Sequence, residues 1–143
     1  MLKLYTTTLL IAVILIGSRC SKDFLKSYED RIEGNWDLNE VRSVGFGGDT
    51  GNLPFREGSS FVFTEGGGLS FTDVNGEVYS GSWDIERNYN NDQQVRSLHL
   101  SVINFTTQQV RSEIFEEIQF TGTNKFKGFI HQELHTYVFH FER

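Results

Sequence analysis

Four histidines are the side chains in this sequence whose chemistry and spacing first suggest a metal site. They are His99, His131, His135 and His140. His131 and His135 are four residues apart, about 13 Å along an extended strand, so they can share an ion only if a turn folds between them. A hairpin near Leu134 would supply that turn. Because no compact ligand spacing is present, the sequence predicts exposed strand histidines and no metal site.

The glutamates of segment 113–117 could form a carboxylate pair for acid–base chemistry. Glu113 and Glu117 lie on the charged face of a predicted strand, where a solvated surface is the simpler interpretation. Glu116 instead shares the mostly apolar face with Ile114 and Ile118. A buried carboxylate is costly unless it is paired or hydrated, so Glu116 is expected to mark a polar cavity or the mouth of a barrel.

Motifs for nucleophilic catalysis and phosphate binding are missing from the sequence. It contains no Gly-x-Ser-x-Gly motif. The Gly-rich segments 45–52 and 65–70 do not precede a helical pattern, so we expect flexible loops that could rim a binding site. No cofactor and no enzymatic activity are predicted.

The N-terminal segment has the three parts of a secretory signal peptide. Lys3 provides the positive start, residues 9–16 (LLIAVILI) form an unbroken apolar run, and GSRC follows at 17–20. A membrane-spanning helix would need about 20 apolar residues. Residues 1–19 are therefore predicted to be a signal peptide, and 20–33 the start of the mature chain with a short helix at 24–33.

Cys20, the single cysteine, stands where such a signal peptide is cleaved. The stretch resembles the lipobox of bacterial lipoproteins, which implies lipidation of Cys20 and attachment to the outer membrane, facing the periplasm or the cell surface. The alternative is a plain secreted protein with an unmodified cysteine. Without residues 1–19 the chain has 11 basic and 19 acidic residues, a net charge of −8, which argues against nucleic acid as a partner.

The remaining sequence, 34–143, is typical of one all-β domain. Thirteen Phe, five Tyr and fourteen Gly favour strands joined by tight turns. Eight strands are predicted, at 34–46, 59–65, 68–74, 77–87, 94–106, 109–121, 124–133 and 134–143. In the sixth, the even-numbered residues form the mostly apolar face. Consecutive strands with short connections predict an eight-stranded antiparallel up-and-down β-barrel, with a two-sheet sandwich as the alternative.

Both tryptophans occur in the frame Gly-x-Trp-Asp-aliphatic, as GNWDL at 34–38 and GSWDI at 81–85. No other part of the two halves aligns, so an internal duplication is not favoured. A Gly two residues before a Trp lies on the same face of a strand and leaves room for the indole or for a crossing backbone. We therefore expect structural roles for Gly34, Trp36 and Gly81.

The segment IEGNWDLNEV, the second Gly-x-Trp and the final strand TYVFHFER resemble the lipocalin superfamily, in particular the small lipocalin-like domains of Gram-negative lipoproteins. This resemblance covers about 30–143. It implies that a basic residue of the last strand packs over the first Trp, a position that Arg143 could fill for Trp36 by a cation–π contact.

Two binding functions remain open at this point. The first is a lipid-anchored barrel that binds a small, partly apolar ligand without catalysis, with Glu116, Trp83 and Tyr79 as candidate ligand-binding residues. The second is a protein-interaction or inhibitor lipoprotein whose barrel is filled by its own side chains and whose loops contact an unknown protein partner.

Overall fold

The computed structural model describes residues 26–143, which form one short α-helix and nine strands of a single sheet. Helix α1 spans Tyr28–Ile32, and a 3-10 helix spans Thr50–Asn52. The strands are β1 Gly34–Gly45, β2 Ser60–Thr64, β3 Gly68–Thr72, β4 Val78–Asn90, β5 Gln93–Ile103, β6 Val110–Phe115, β7 Glu117–Phe120, β8 Lys125–His131 and β9 His135–Glu142. The predicted all-β class is therefore confirmed.

The predicted signal peptide (1–19) and the lipidated Cys20 lie outside the described residues. Within 26–143, none of the helices has the length and apolarity needed to cross a membrane. Helix α1 begins with a capping box, in which the Ser27 side chain accepts from the Asp30 backbone and the Asp30 side chain accepts from the Ser27 backbone.

All strand pairs are antiparallel, in the order β6-β5-β4-β3-β2-β1-β9-β8-β7. The sixth predicted strand is divided at Glu116 into β6, which pairs with β5, and β7, which pairs with β8. These two strands are consecutive in the chain but stand at opposite ends of the sheet order. No ladder within 26–143 joins them, so the pairing establishes one antiparallel sheet rather than the closed eight-stranded barrel.

The break at Glu116 also reverses which residues face the core. Before it, Phe115 is fully buried and Ile114 is 51% exposed, whereas after it Ile118 is buried. Alternation by two cannot put residues 115 and 118 on one face unless an extra residue intervenes, as in a β-bulge. The sequence-based face assignment is thus wrong for β6, where Arg111, not its even-numbered neighbours, points inward with Phe115.

Aromatic side chains fill the buried side of the sheet. Phe55, from the β1–β2 connection, is fully buried between Phe61 and Phe71, with ring centroids 5.3 and 4.9 Å away. Phe115 of β6 meets Phe139 of β9 at 4.8 Å. Because β6 and β9 are far apart in the sheet order, this contact requires the sheet to curve around a common core.

Candidate functional site

The connections between antiparallel strands alternate between two ends of the sheet. We call one the loop end; it comprises the connections 46–59, 73–77, 104–109 and 132–134. The other, the terminal end, comprises 65–67, 91–92, 121–124, Glu33 and the last residue, Arg143. Helix α1 joins β1 at the terminal end.

Trp36 and Arg143 close the terminal end. The predicted cation–π contact is present, with the Arg143 guanidinium carbon 4.4 Å from the centre of the Trp36 ring. Trp36 Nε1 donates to the carbonyl of Ile32 at 2.6 Å. Gly34 has φ +115°, and a Cβ there would lie 3.2 Å from Arg143 Nη1. Gly34 therefore permits both the backbone turn and the approach of the arginine.

Two of the candidate ligand-binding residues, Trp83 and Tyr79, lie on β4 and are buried in the core of the domain. Trp83 Nε1 donates to the carbonyl of Thr64, on the terminal side. Between them, Gly81 meets β5 so closely that a Cβ would lie 1.9 Å from Ser101 O. The expectation that this glycine admits a crossing backbone is met. Tyr79 and Trp83 are four residues apart on one strand, about 13 Å, so they do not form a single site.

Glu116, the third candidate, does not lie inside the sheet. It is exposed at the break between β6 and β7, and its carboxylate accepts from His131 N at 3.3 Å. The assignment of Glu116 to an inward apolar face with Ile114 and Ile118 is wrong, because the even-numbered residues of β6 point outward as far as the bend and Ile114 is 51% exposed as well. The structure therefore does not bring Glu116 together with Tyr79 or Trp83, and a ligand-binding role for these residues stays a prediction.

A buried network around Arg111 closes the loop end. Arg111 Nη2 donates to Asp73 Oδ2 at 2.9 Å and to Tyr79 Oη at 2.7 Å, and Nη1 donates to Pro54 O at 3.3 Å. The guanidinium carbon also lies 4.5 Å from the centre of the Tyr79 ring. Burial, followed by a hydrogen bond to Glu77, raises the pKa of Tyr79, so the phenol remains a neutral donor and acceptor.

Asp73 is the anionic centre of this network. Burial opposes its ionisation, but hydrogen bonds from the Glu77 and Asn75 backbones and from Arg111 outweigh burial and lower its pKa. The same carboxylate therefore holds turn 73–77 and anchors the guanidinium.

Beside this network lies an open cleft with a volume of about 650 Å³. Connection 53–59, turn 73–75 and the start of β6 form its walls. Two cations, Arg56 and Arg111, and two carboxylates, Asp73 and Glu113, line it, and Leu53 and Val110 supply apolar surface. Ser59 also lines it; the residue is 1% exposed, and its Oγ has no hydrogen-bond partner among residues 26–143. A buried hydroxyl without a partner costs stability unless water or another bound group satisfies it.

The two ends of the sheet differ in their exposed side chains. At the loop end, each of the four connections exposes a large apolar residue: Phe46 (85%), Val74 (48%), Phe105 (74%) and Leu134 (71%). The connections 65–67, 91–92 and 121–124 at the terminal end contain no apolar side chain. An exposed apolar side chain in every connection of one end is typical of an interaction surface.

The histidines lie on β5, β8 and β9 and do not form one cluster within residues 26–143. His131 Nδ1 lies 3.2 Å from Thr136 Oγ1, and His135 Nε2 is buried without a partner within the described residues. Burial, followed by the charge of Lys127, lowers the pKa of His140. The turn between His131 and His135 thus does not join their rings at one ion. His99 differs, because it lies beside two carboxylates.

Sequence reasoning missed the Arg111 network and the partnerless Ser59. The sequence does carry one usable signal: Asn75-Gly76 is typical of a hairpin turn, and the Asp73 carboxylate two residues earlier belongs to the same turn. Nothing local identifies Ser59, because its environment is set by the fold. No protein-family model matches the chain, and no curated protein or solved structure shows significant similarity to it.

Proposed function

We propose that this protein is a lipid-anchored envelope lipoprotein with a lipocalin-like barrel, and that it binds a protein partner, without catalysis, through its loop end. The observation that carries the proposal is the asymmetry of the two ends. The four loop-end connections each expose a large apolar side chain, and the connections at the terminal end contain none. Solvent exposure of such groups is unfavourable, and a partner that covers them would remove that cost.

Three contacts support a barrel-like closure of the sheet. β6 and β7 are consecutive, so one bent strand stands at both ends of the sheet order. Phe115, at the end of β6, contacts Phe139, and a Cβ at Gly128 of β8 would touch the Phe115 ring at 2.8 Å. The Glu116 backbone N donates to Phe129 O, which continues the β7–β8 ladder up to the bend. A strand that turns from one neighbour to the other closes a barrel without a regular ladder.

The filled interior favours a protein partner over a ligand enclosed in the barrel. Phe55 is fully buried beneath the loop end, and Arg111 lies beside it over the Phe71 ring. Trp36 and Arg143 occupy the opposite end. Lipocalin-like barrels of this size are either filled by side chains or hold one ligand, and the aromatic packing here supports the first arrangement.

The direction of the anchor supports the same conclusion. A lipid on Cys20 would join the domain through its N-terminal side, at the terminal end. The loop end would then face away from the anchoring membrane, towards other envelope proteins. The net negative charge of the predicted mature chain is compatible with this orientation, since anionic lipid would not attract it.

Site-specific photocrosslinking in cells of the native host tests this function. A photoreactive residue is placed at Phe105 (74% exposed) and, as a matched control, at Tyr89 (76% exposed), which lies outside the loop end. We expect one defined protein adduct from position 105 and none from position 89. The adduct should also disappear when Phe46 is replaced by Ser in the same chain. Equal crosslinking from both positions, or only lipid adducts from 105, would contradict the proposal.

The cleft beside Ser59 favours a second candidate function, the binding of a small, partly apolar anion. Three of the five N–H groups of Arg111 are engaged, so two remain for a ligand. Ser59 Oγ adds a buried donor, and Leu53 and Val110 could contact an apolar part. This ligand would lie outside the filled core, at the mouth of the barrel.

Native mass spectrometry of the full-length lipoprotein, extracted from its own host in mild detergent, tests the second candidate. A retained small anion is expected in the wild type, and the Ser59→Ala variant should retain less of it. A matched variant, Ser70→Ala on β3 away from the cleft, should retain as much as the wild type. If the wild-type mass equals that of the lipidated chain alone, the cleft is not a carrier site.

A further inference from the structure

The outer face of the β4–β5 hairpin brings two carboxylates and one imidazole together. Asp84 and His99 are direct partners in the antiparallel register, and Glu86 follows on the same face of β4. Asp84 Oδ2 lies 3.8 Å from His99 Nδ1, and Glu86 Oε2 lies 3.8 Å from His99 Nε2. One donor atom from each residue lies within 4.8 Å of the other two. The two carboxylates lie nearest different ring nitrogens of His99, so one ion requires the Glu86 side chain to turn towards Nδ1.

A buried serine holds His99 in place. Ser97 is 1% exposed, and its Oγ lies 3.4 Å from His99 Nε2. The same Oγ accepts from Asn88 Nδ2 at 2.7 Å. If Nε2–H donates to this oxygen, Nδ1 is left unprotonated and faces Asp84. Metal-binding histidines are commonly oriented in this way, by a hydrogen bond from the ring nitrogen that does not bind the metal.

The groove beside His99 carries negative charge without a basic partner. It has a volume of about 610 Å³, and Asp84, Glu113 and Glu116 are among its lining residues, which include no Lys or Arg. Besides the donor Asp84, the groove thus holds two further carboxylates, Glu113 and Glu116, that favour a cation.

We propose that Asp84, Glu86 and His99 bind a zinc ion on this outer face. Zinc is commonly held by nitrogen and carboxylate donors at about 2.0–2.2 Å in tetrahedral geometry, and three protein ligands leave the fourth position to water. Calcium and magnesium prefer oxygen-only sites with more ligands, so the imidazole selects against them. The site lies on the side of the sheet, and it is independent of the function proposed for the loop end.

His99 is too far from Asp84 and Glu86 in the sequence for a zinc motif to identify the site. Asp84 and His99 are separated by a complete hairpin, and they meet only because the β4–β5 ladder runs without a register shift from Ser80 to Asn90. Sequence motifs for zinc rely on ligands a few residues apart. The sequence-based prediction of no metal site considered only ligands that are close in the sequence. It could not detect Asp84 and His99, which are paired across two strands.

Isothermal titration of the full-length lipoprotein in mild detergent with zinc chloride at neutral pH tests the proposal. We expect one zinc per chain, with at least a tenfold loss of affinity in His99→Gln. Ser97→Ala should weaken binding about 10- to 100-fold through loss of the orienting contact. His140→Gln, on β9, is the matched control and should bind as the wild type does.

Three results would overturn the proposal. They are no saturable zinc binding, equal affinity of the His99→Gln and His140→Gln variants, and tighter binding of calcium than of zinc. Urea unfolding of each variant without metal checks that the domain is intact. If His99→Gln were destabilised, Asp84→Asn would replace it, because the Asp84 side chain is 62% exposed and its loss should still weaken zinc binding.

Discussion

Asp73 and Arg111 are 38 residues apart in the chain, and Arg111 Nη2 lies 2.9 Å from Asp73 Oδ2. Strands β4 and β5 separate β3 from β6 in the sheet order, so this ion pair crosses the loop end rather than following a ladder. The Asp73 side chain is 3% exposed and that of Arg111 is 24% exposed. The ion pair thus holds turn 73–77 against β6, at the end of the sheet where Phe55 is buried.

Replacement of Arg111 by Met should destabilise the domain by about 3 kcal/mol, because it leaves the buried Asp73 carboxylate without its cation. The free energy of unfolding from urea titration at pH 7 measures this loss. In the double variant Asp73→Asn/Arg111→Met the loss should be smaller than the sum of the two single variants. Strict additivity would mean that the two side chains do not interact in solution.

The lowered pKa of Asp73 makes a further prediction, about acid stability. A carboxyl group whose pKa is lower in the folded state stabilises the fold above its ordinary pKa of about 3.9, and this contribution is lost as the pH falls through the folded-state value. The stability difference between the wild type and Asp73→Asn should therefore shrink below pH 4. Unfolding free energies measured from pH 7 to pH 2 test this; a constant difference would refute it.

Glu113 should have the opposite pH dependence. Its pKa is raised by burial and then by Glu116, so the folded state binds the proton more tightly than the unfolded chain. The associated stability is present below the ordinary carboxyl pKa and is lost as the pH rises through the raised value. Glu113→Gln cannot ionise, so it should be more stable than the wild type at pH 7 but not at pH 3. The gain should stay well below the roughly 1.4 kcal/mol of one pKa unit, because solvent screens this half-buried group.

Thermal unfolding at both pH values measures this effect. Glu133→Gln, at an exposed position of the β8–β9 turn, is the matched control and should leave the stability nearly unchanged at either pH. A loss of stability at pH 7 in Glu113→Gln would mean that the carboxylate makes a favourable interaction that outweighs its burial.

Local sequence signals predicted most of the strands. The alternation in β9, with Tyr137, Phe139 and Phe141 buried, and the Asn75-Gly76 turn are determined by neighbouring residues, so they can be recognised without the fold. The predicted turn at 88–93 is shorter in the structure, because β4 continues to Asn90 and only Asn91 and Asp92 adopt positive φ. Asn and Asp tolerate that conformation, which allows a two-residue hairpin.

The site residues were less predictable, since they depend on contacts between distant strands. A bend at Glu116 is not encoded in the apolar pattern of 109–121, which alternates without interruption in the sequence. The pattern therefore assigned Arg111 to solvent and Glu116 to the core. In the structure Arg111 points inward and Glu116 points outward. One extra residue at the bend shifts the alternation, so the residues before the bend face the opposite way from the predicted one. By contrast, the Arg143–Trp36 contact could be expected from the resemblance alone.

Phe55 and Phe46 provide a matched test of the filled interior, because they lie in the same connection with opposite exposure. Phe55 is fully buried and Phe46 is 85% exposed. Phe55→Ala should cost about 3–5 kcal/mol, since it removes the ring between Phe61 and Phe71 and leaves a cavity. Phe46→Ala should change the free energy of unfolding by no more than about 0.5 kcal/mol.

An environment-sensitive apolar dye should bind the Phe55→Ala variant more strongly than the wild type, because the cavity opens beneath the loop end. If the wild type already binds the dye within its core, the interior is accessible, and a carrier function becomes the better explanation of the fold.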